Sequence, residues 1–106
     1  MKPLIWLGSS RDDVRKFPEA VRQQTGFDLY RVQSGYEPSD WKPMPAVGVG
    51  VTKIRLHDVN EYRVTKFVEA VYVIHAFVKK TQQTSKTDID LARQRLRHLM
   101  TIRGKL

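Results

Sequence analysis

Apolar and polar positions divide the chain into short segments of different period. Residues 3–7, PLIWL, are an apolar run that ends at Gly8-Ser9-Ser10, which predicts a short strand followed by a helix start. Ser9 or Ser10 is placed to cap a turn carrying Asp12 and Asp13, which suit the positive end of a helix. Pro18 fits the first turn of a second helix. Val21, Thr25, Leu29 and Val32 then recur at spacings of four, four and three, as one helical face. Gly26 weakens this helix without ending it, and Gly35 is a suitable stop. Residues 35–46, GYEPSDWKPMPA, hold three prolines and predict a loop, with Trp41 and Met44 covering the edge of the core.

The period then changes to two. Residues 47–57, VGVGVTKIRLH, alternate as a strand with Val47, Val49, Val51, Lys53, Arg55 and His57 on one face. Ile54 and Leu56 take the other. Residues 58–61 predict a turn, and 62–68 and 70–78 two further strands. From Ser85, S-K-T-D resembles a capping box with Asp88 in the place of glutamate. Ile89, Ala92, Leu96 and Leu99 form the apolar stripe of the last helix, with Arg93, Arg97 and His98 off it. The predicted order is strand, helices, three antiparallel strands, helix. That is an α+β domain, a small antiparallel sheet with N-terminal helices packed on it and a C-terminal helix.

Composition adds a partner class. The 106 residues suit a single domain, 1–106, and 41% hydrophobic with 28% charged residues indicates a globular chain. Nineteen Lys+Arg against eleven Asp+Glu give a net charge of +8, and the pI is near 10.1. Such a surface attracts polyanions: nucleic acid, an acidic protein or an anionic membrane. Charge alone does not choose among them. There is no cysteine, hence no disulfide framework and no thiolate metal site, as suits a reducing cytosol. The apolar run at the start is too short to span a membrane, and a cytoplasmic location is expected.

Strand periodicity gathers the chemistry-bearing residues. Lys53, Arg55 and His57 share a face; three such groups in a core would be costly, so this end of the face is wet. An ordinary solvent face would carry the same pattern. Arg63 begins the next strand, and Lys79-Lys80 end the last, so three neighbouring strands bring cations to one surface. A surface of this kind suits RNA cleavage by the 2′-hydroxyl. Arginines and lysines stabilise the charge of the phosphorane, and a lysine crowded by cations is a base of lowered pKa. His75 alternates with Val73 and Phe77 and fits a core role; His98 fits the surface. No His/Glu spacing suggests a metal, no Gly-rich phosphate loop is present, and no cofactor is implied. Tyr36, Trp41, Tyr62 and Tyr72 are candidates for stacking on bases and equally for packing.

Three blocks carry a family resemblance: FPEAVRQQTGFDLYRVQSG at 17–35, WKPMPAVGVGVTKIRLHDVNEYRV at 41–64, and VYVIHAFVKKTQQTSKTDIDLARQRL at 71–96. Through them the chain resembles the HigB-like, phage-related branch of the RelE/ParE toxin superfamily. The resemblance implies a RelE-like fold and a type II toxin that cuts mRNA on the translating ribosome, with no metal. It also implies a cognate helix-turn-helix antitoxin, and no membrane partner. Carried over residue by residue, it makes Lys53 (the base), Arg55, Arg63 and Lys80 the catalytic candidates. Lys79, His57, Lys66 and Arg93 are candidates for further RNA contact. Many relatives have glutamate where this chain has Lys53. Their strand after Y-R-V is also longer, and an odd-numbered shortening turns the side chains on one side of it to the opposite face. The alternatives are a gyrase inhibitor of the same fold and a non-enzymatic RNA-binding or phage interaction protein.

Overall fold

The structure is a computed structural model that describes residues 1–56, 59–79 and 84–104. The expected candidates His57 and Lys80 lie outside the described residues. Eight elements follow in order: β1 (Leu4–Trp6), α1 (Ser10–Arg15), α2 (Glu19–Gln33), β2 (Trp41–Pro43), β3 (Val51–Leu56), β4 (Asn60–Lys66), β5 (Val71–Val78) and α3 (Lys86–Gly104). The strands form one sheet in the order β1-β5-β4-β3-β2. β3 to β5 run antiparallel, as expected, and an additional strand, β2, joins them antiparallel; β1 pairs with β5 in parallel, so the sheet is mixed.

Each face is covered differently. Ile54, Leu56, Tyr62, Val64, Val73 and Ala76 pack under Val14 and Phe17 and under Val21 and Leu29 of α2. All four stripe residues of α2 are buried, which holds the helix here although Phe27 and Tyr30 stay exposed on its outer side. On the opposite face α3 lays Ala92 and Leu96 over Val51 and Ile74, and Leu99 over Ala70 and Tyr72. Ser85 caps α3: its Oγ accepts from the Asp88 amide at 3.1 Å and donates to the Asp88 carboxylate at 2.6 Å. At the other end of α3, Arg103 grips Glu69 through two bonds of 2.7 and 3.0 Å.

Four expectations need correction. The proline-rich loop contains β2, an edge strand on β3, where a missing N–H is tolerated. Trp41 sits on that edge at 40% exposure and does not cover the core, whereas Met44 does pack against it. Residues 47–50 are not strand: Val49 is fully exposed and β3 begins at Val51. β4 also starts earlier than expected, at Asn60, which puts Glu61 inside the sheet.

A bulge between Arg63 and Val64 interrupts the β4–β5 ladder. Arg63 pairs with His75 and Val64 with Val73, leaving Ile74 as the extra residue. Ile74 and His75 therefore both meet α3, Ile74 at Ala92 and His75 at Asp88. Lys53 and Arg63 are direct register partners, so they share a face.

Gly26 is an exposed mid-helix glycine, and a Cβ there would meet nothing within 4 Å. Gly26→Ala is expected to stabilise the fold by about 0.5–1 kcal/mol, read as a higher urea midpoint at unchanged slope. Among the described residues, no helix is long and apolar enough to cross a membrane.

Candidate functional site

Register builds the site in two cross-strand rows. Lys42, Lys53, Arg63 and His75 stand opposite one another on β2 to β5. Arg55, Glu61 and Phe77 form the next row toward the strand ends. Lys79 follows β5, its amide donating to the Val59 carbonyl, and its side chain returns to Glu61. The rows lie on the face that carries α3, at the end where that helix begins.

Glu61 is the centre of the cluster. Its side chain has no solvent exposure, with Arg63 Nη2 at 3.1 Å from Oε1 and Lys79 Nζ at 3.5 Å from Oε2. Arg63 is itself buried at 1% exposure. It also donates to Thr84 Oγ1 at 3.2 Å, and its guanidinium lies 4.9 Å from the centre of the Phe77 ring. Burial pulls the Arg63 pKa down, and Glu61 opposes this by charge and hydrogen bond. Arg63 thus faces the cluster, but as a buried partner of Glu61 rather than an open phosphate ligand.

Lys53 and Arg55 are half-buried, and neither is ion-paired with a carboxylate among the described residues. The Lys53 amine is held below the usual lysine range. Partial burial is the largest cause; Glu61 opposes it, while Lys79, Arg63 and Arg55 push the same way as burial. The face therefore presents one amine of lowered pKa beside further cations.

The remaining candidates are placed elsewhere. Strand alternation puts Lys66 with Tyr62 and Val64 on the opposite face, at the far end of β4. Arg93 lies on α3, where it donates to the Ala46 carbonyl and approaches Asp90. Of the four aromatic candidates, Tyr62 and Tyr72 are buried while Tyr36 and Trp41 are exposed. Glu61 was not among the candidates; the sign of it in the sequence is its spacing of two from Arg63, which puts both on one face.

His75 joins the site to the scaffold. It is buried at 4% exposure, and its Nδ1 accepts from Arg95 Nη1 at 3.2 Å. An arginine only donates, so the ring proton is on Nε2, which donates to Asp88 Oδ1 at 2.8 Å. Arg95 also donates to the Ile74 carbonyl and to Ser9 Oγ, and Ser9 donates to Asp13. Gly8, at φ +52°, leaves room for that guanidinium, where a Cβ would collide with it. α3, β5 and α1 are thereby clamped around one neutral ring.

Burial is the main cause that lowers the His75 pKa, against the pull of Asp88; Arg95 lowers it further and Asp13 opposes. The unfolded chain, with histidine near 6.5, therefore binds more protons than the folded chain as the pH drops. The contribution of His75 to stability is fully present above about pH 6.5 and is lost on acidification below it. Urea midpoints are expected to fall between about pH 7.5 and about pH 5.5, and His75→Gln to flatten that dependence.

The mixed five-stranded sheet, with two helices on one face and a C-terminal helix on the other, is an arrangement consistent with the RelE-like fold. The family described as phage derived protein Gp49-like (DUF891) matches residues 12–97. The chain belongs to this family of phage-derived proteins, which is associated with RelE-like and toxin–antitoxin proteins. No curated protein matches the chain.

Proposed function

We propose that this protein is the toxin of a type II toxin–antitoxin pair, of the HigB-like kind, and that it stops translation by cutting mRNA on the ribosome. The observation that carries the reading is the half-buried Lys53 amine of lowered pKa, set beside Arg55 with Arg63 and Lys79 behind it. Lys53 takes the proton of an RNA 2′-hydroxyl, whose oxygen attacks the adjacent phosphorus. Arg55 neutralises the phosphorane, and Lys79 extends the positive field along the phosphate backbone. The bond to the 5′-oxygen breaks, that oxygen takes a proton from water, and a cyclic phosphate remains. This chemistry needs no metal or cofactor. The toxin acts in the cytoplasm, and a helix-turn-helix antitoxin restrains it.

Brief expression followed by mapping of mRNA 5′ ends, with and without translation, tests the reading. Cuts that require translation and vanish in the Lys53→Ala, Arg55→Ala double variant are the expected result. Intact transcripts with arrested DNA replication would instead identify a gyrase inhibitor. RNA bound by the purified protein but never cut would identify a binding module.

A further inference from the structure

Three cations stand directly opposite one another on β2, β3 and β4: Lys42, Lys53 and Arg63. Arg55 and Lys79 lie beside them. Like charges in opposite positions repel, and a sheet face that concentrates five of them needs a reason to hold together. Glu61 is the carboxylate within the sheet, in register with Arg55 and two residues from Arg63, while Asp88 of α3 pairs with His75 and adds a weaker pull on Arg63. The fold accepts a buried charge to put it there. The arrangement is also incomplete for a purely structural ion pair. Among the described residues, Oε1 has its hydrogen bond from Arg63, while Oε2 is buried without one, 3.5 Å from the Lys79 amine. An optimised structural pair would satisfy both oxygens.

We propose that Glu61 is the positioning residue of the site: an internal anion that holds Arg63 and Lys79 in place and keeps the half-buried pair, Lys53 and Arg55, assembled for a phosphodiester. This rests on the RNA-cleaving reading and adds a role to it. Glu61 touches no substrate. It competes with phosphate for the same cations, so it weakens ground-state binding while it fixes the geometry the reaction needs. Glu61 is also the largest charge effect on Lys53, and it favours the protonated amine against Lys79, Arg63 and Arg55. The groups surrounding that amine are therefore Arg55 on β3, Lys42 on β2, Glu61 and Arg63 on β4, and Lys79 after β5.

Glu61→Gln separates this role from simple support. The expected result is a kcat lower by about 10-fold or more with KM unchanged or lower. The rise of rate with pH should move to lower pH, because Lys53 loses the charge that retained its proton. Two measurements stand apart from cleavage. The Lys53 amine, followed by NMR in the free protein, should titrate at lower pH in the variant. A 2′-deoxy dinucleotide, which cannot be cut, should bind as tightly as to the wild type or up to about 10-fold more tightly. Glu61→Asp keeps the charge, and it should restore the Lys53 titration more fully than the rate. If Glu61→Gln does not fold, the aspartate variant carries the test: an unshifted amine with a reduced rate supports the proposal, and wild-type rates overturn it. A folded Glu61→Gln with unchanged kcat, pH profile and Lys53 titration overturns it too. A wild-type protein that cuts no RNA removes the cleavage reading, and the amine titration and dinucleotide affinity then decide whether Glu61 orders the cations.

Discussion

Arg63→Ala is expected to lower stability by about 3–5 kcal/mol, the cost of leaving one partner of a buried ion pair alone. The substitution strips Glu61, at zero exposure, of the hydrogen bond it has among the described residues. It also removes the guanidinium from the Phe77 ring and from Thr84, just ahead of α3. Against a typical net stability of about 5–15 kcal/mol, such a loss is a large share of the whole. Chemical denaturation measures it directly. Removing both charges with apolar side chains of similar volume should cost much less than Arg63→Ala alone, because no charge is then stranded. An Arg63→Ala protein with a wild-type denaturation midpoint would mean that the pair contributes nothing in solution.

Lys53 carries the second large effect. Lys53→Ala is expected to slow cleavage by about 10²–10³-fold, within the range for loss of a general base. The half-buried amine pairs with no carboxylate among the described residues, so the fold should be nearly indifferent to the change. Lys53→Arg is the sharper variant. It keeps the positive charge, yet a guanidinium stays protonated and cannot take the 2′-hydroxyl proton. Single-turnover cleavage by Lys53→Arg should fall almost as far as for alanine. A rate close to wild type would show that charge at this position is enough and that the base is elsewhere.

What could be read from the sequence follows from how local each signal is. Val21, Thr25, Leu29 and Val32 share a face by spacing alone, and the structure buries all four. Ser85 and Asp88 are three apart and cap α3 as their spacing suggests. The cross-strand placement of Lys53, Arg55 and Arg63 also came from period and hairpin order. The errors arise where distant parts decide the outcome. β2 forms at Trp41–Pro43 because β3 offers an edge, while the prolines locally argue against a strand. Val47 and Val49 continue an alternation that the chain abandons before Val51. Glu61 looks like a turn residue among Asp58 and Asn60. Its burial depends on Arg63 and on Lys79, eighteen residues further along the chain. The parallel addition of β1 to β5 joins strands more than sixty residues apart, which no local pattern encodes.

The extra residue in β5 bears on how such a protein can change over generations. Ile74 is the unpaired position, and the ladder on either side of it is regular. A one-residue deletion at Ile74 would close the ladder with His75 and Phe77 still turned toward Arg63 and Glu61, at the cost of the apolar contact with Ala92. Loss of Tyr62, between Glu61 and Arg63, has no such remedy, since it inverts one of the two charged rows. β4 and β5 together therefore hold a length difference of one that lineages can add or remove without scrambling the cationic face. Strands of unequal length within one family are then compatible with a single, preserved arrangement of charge.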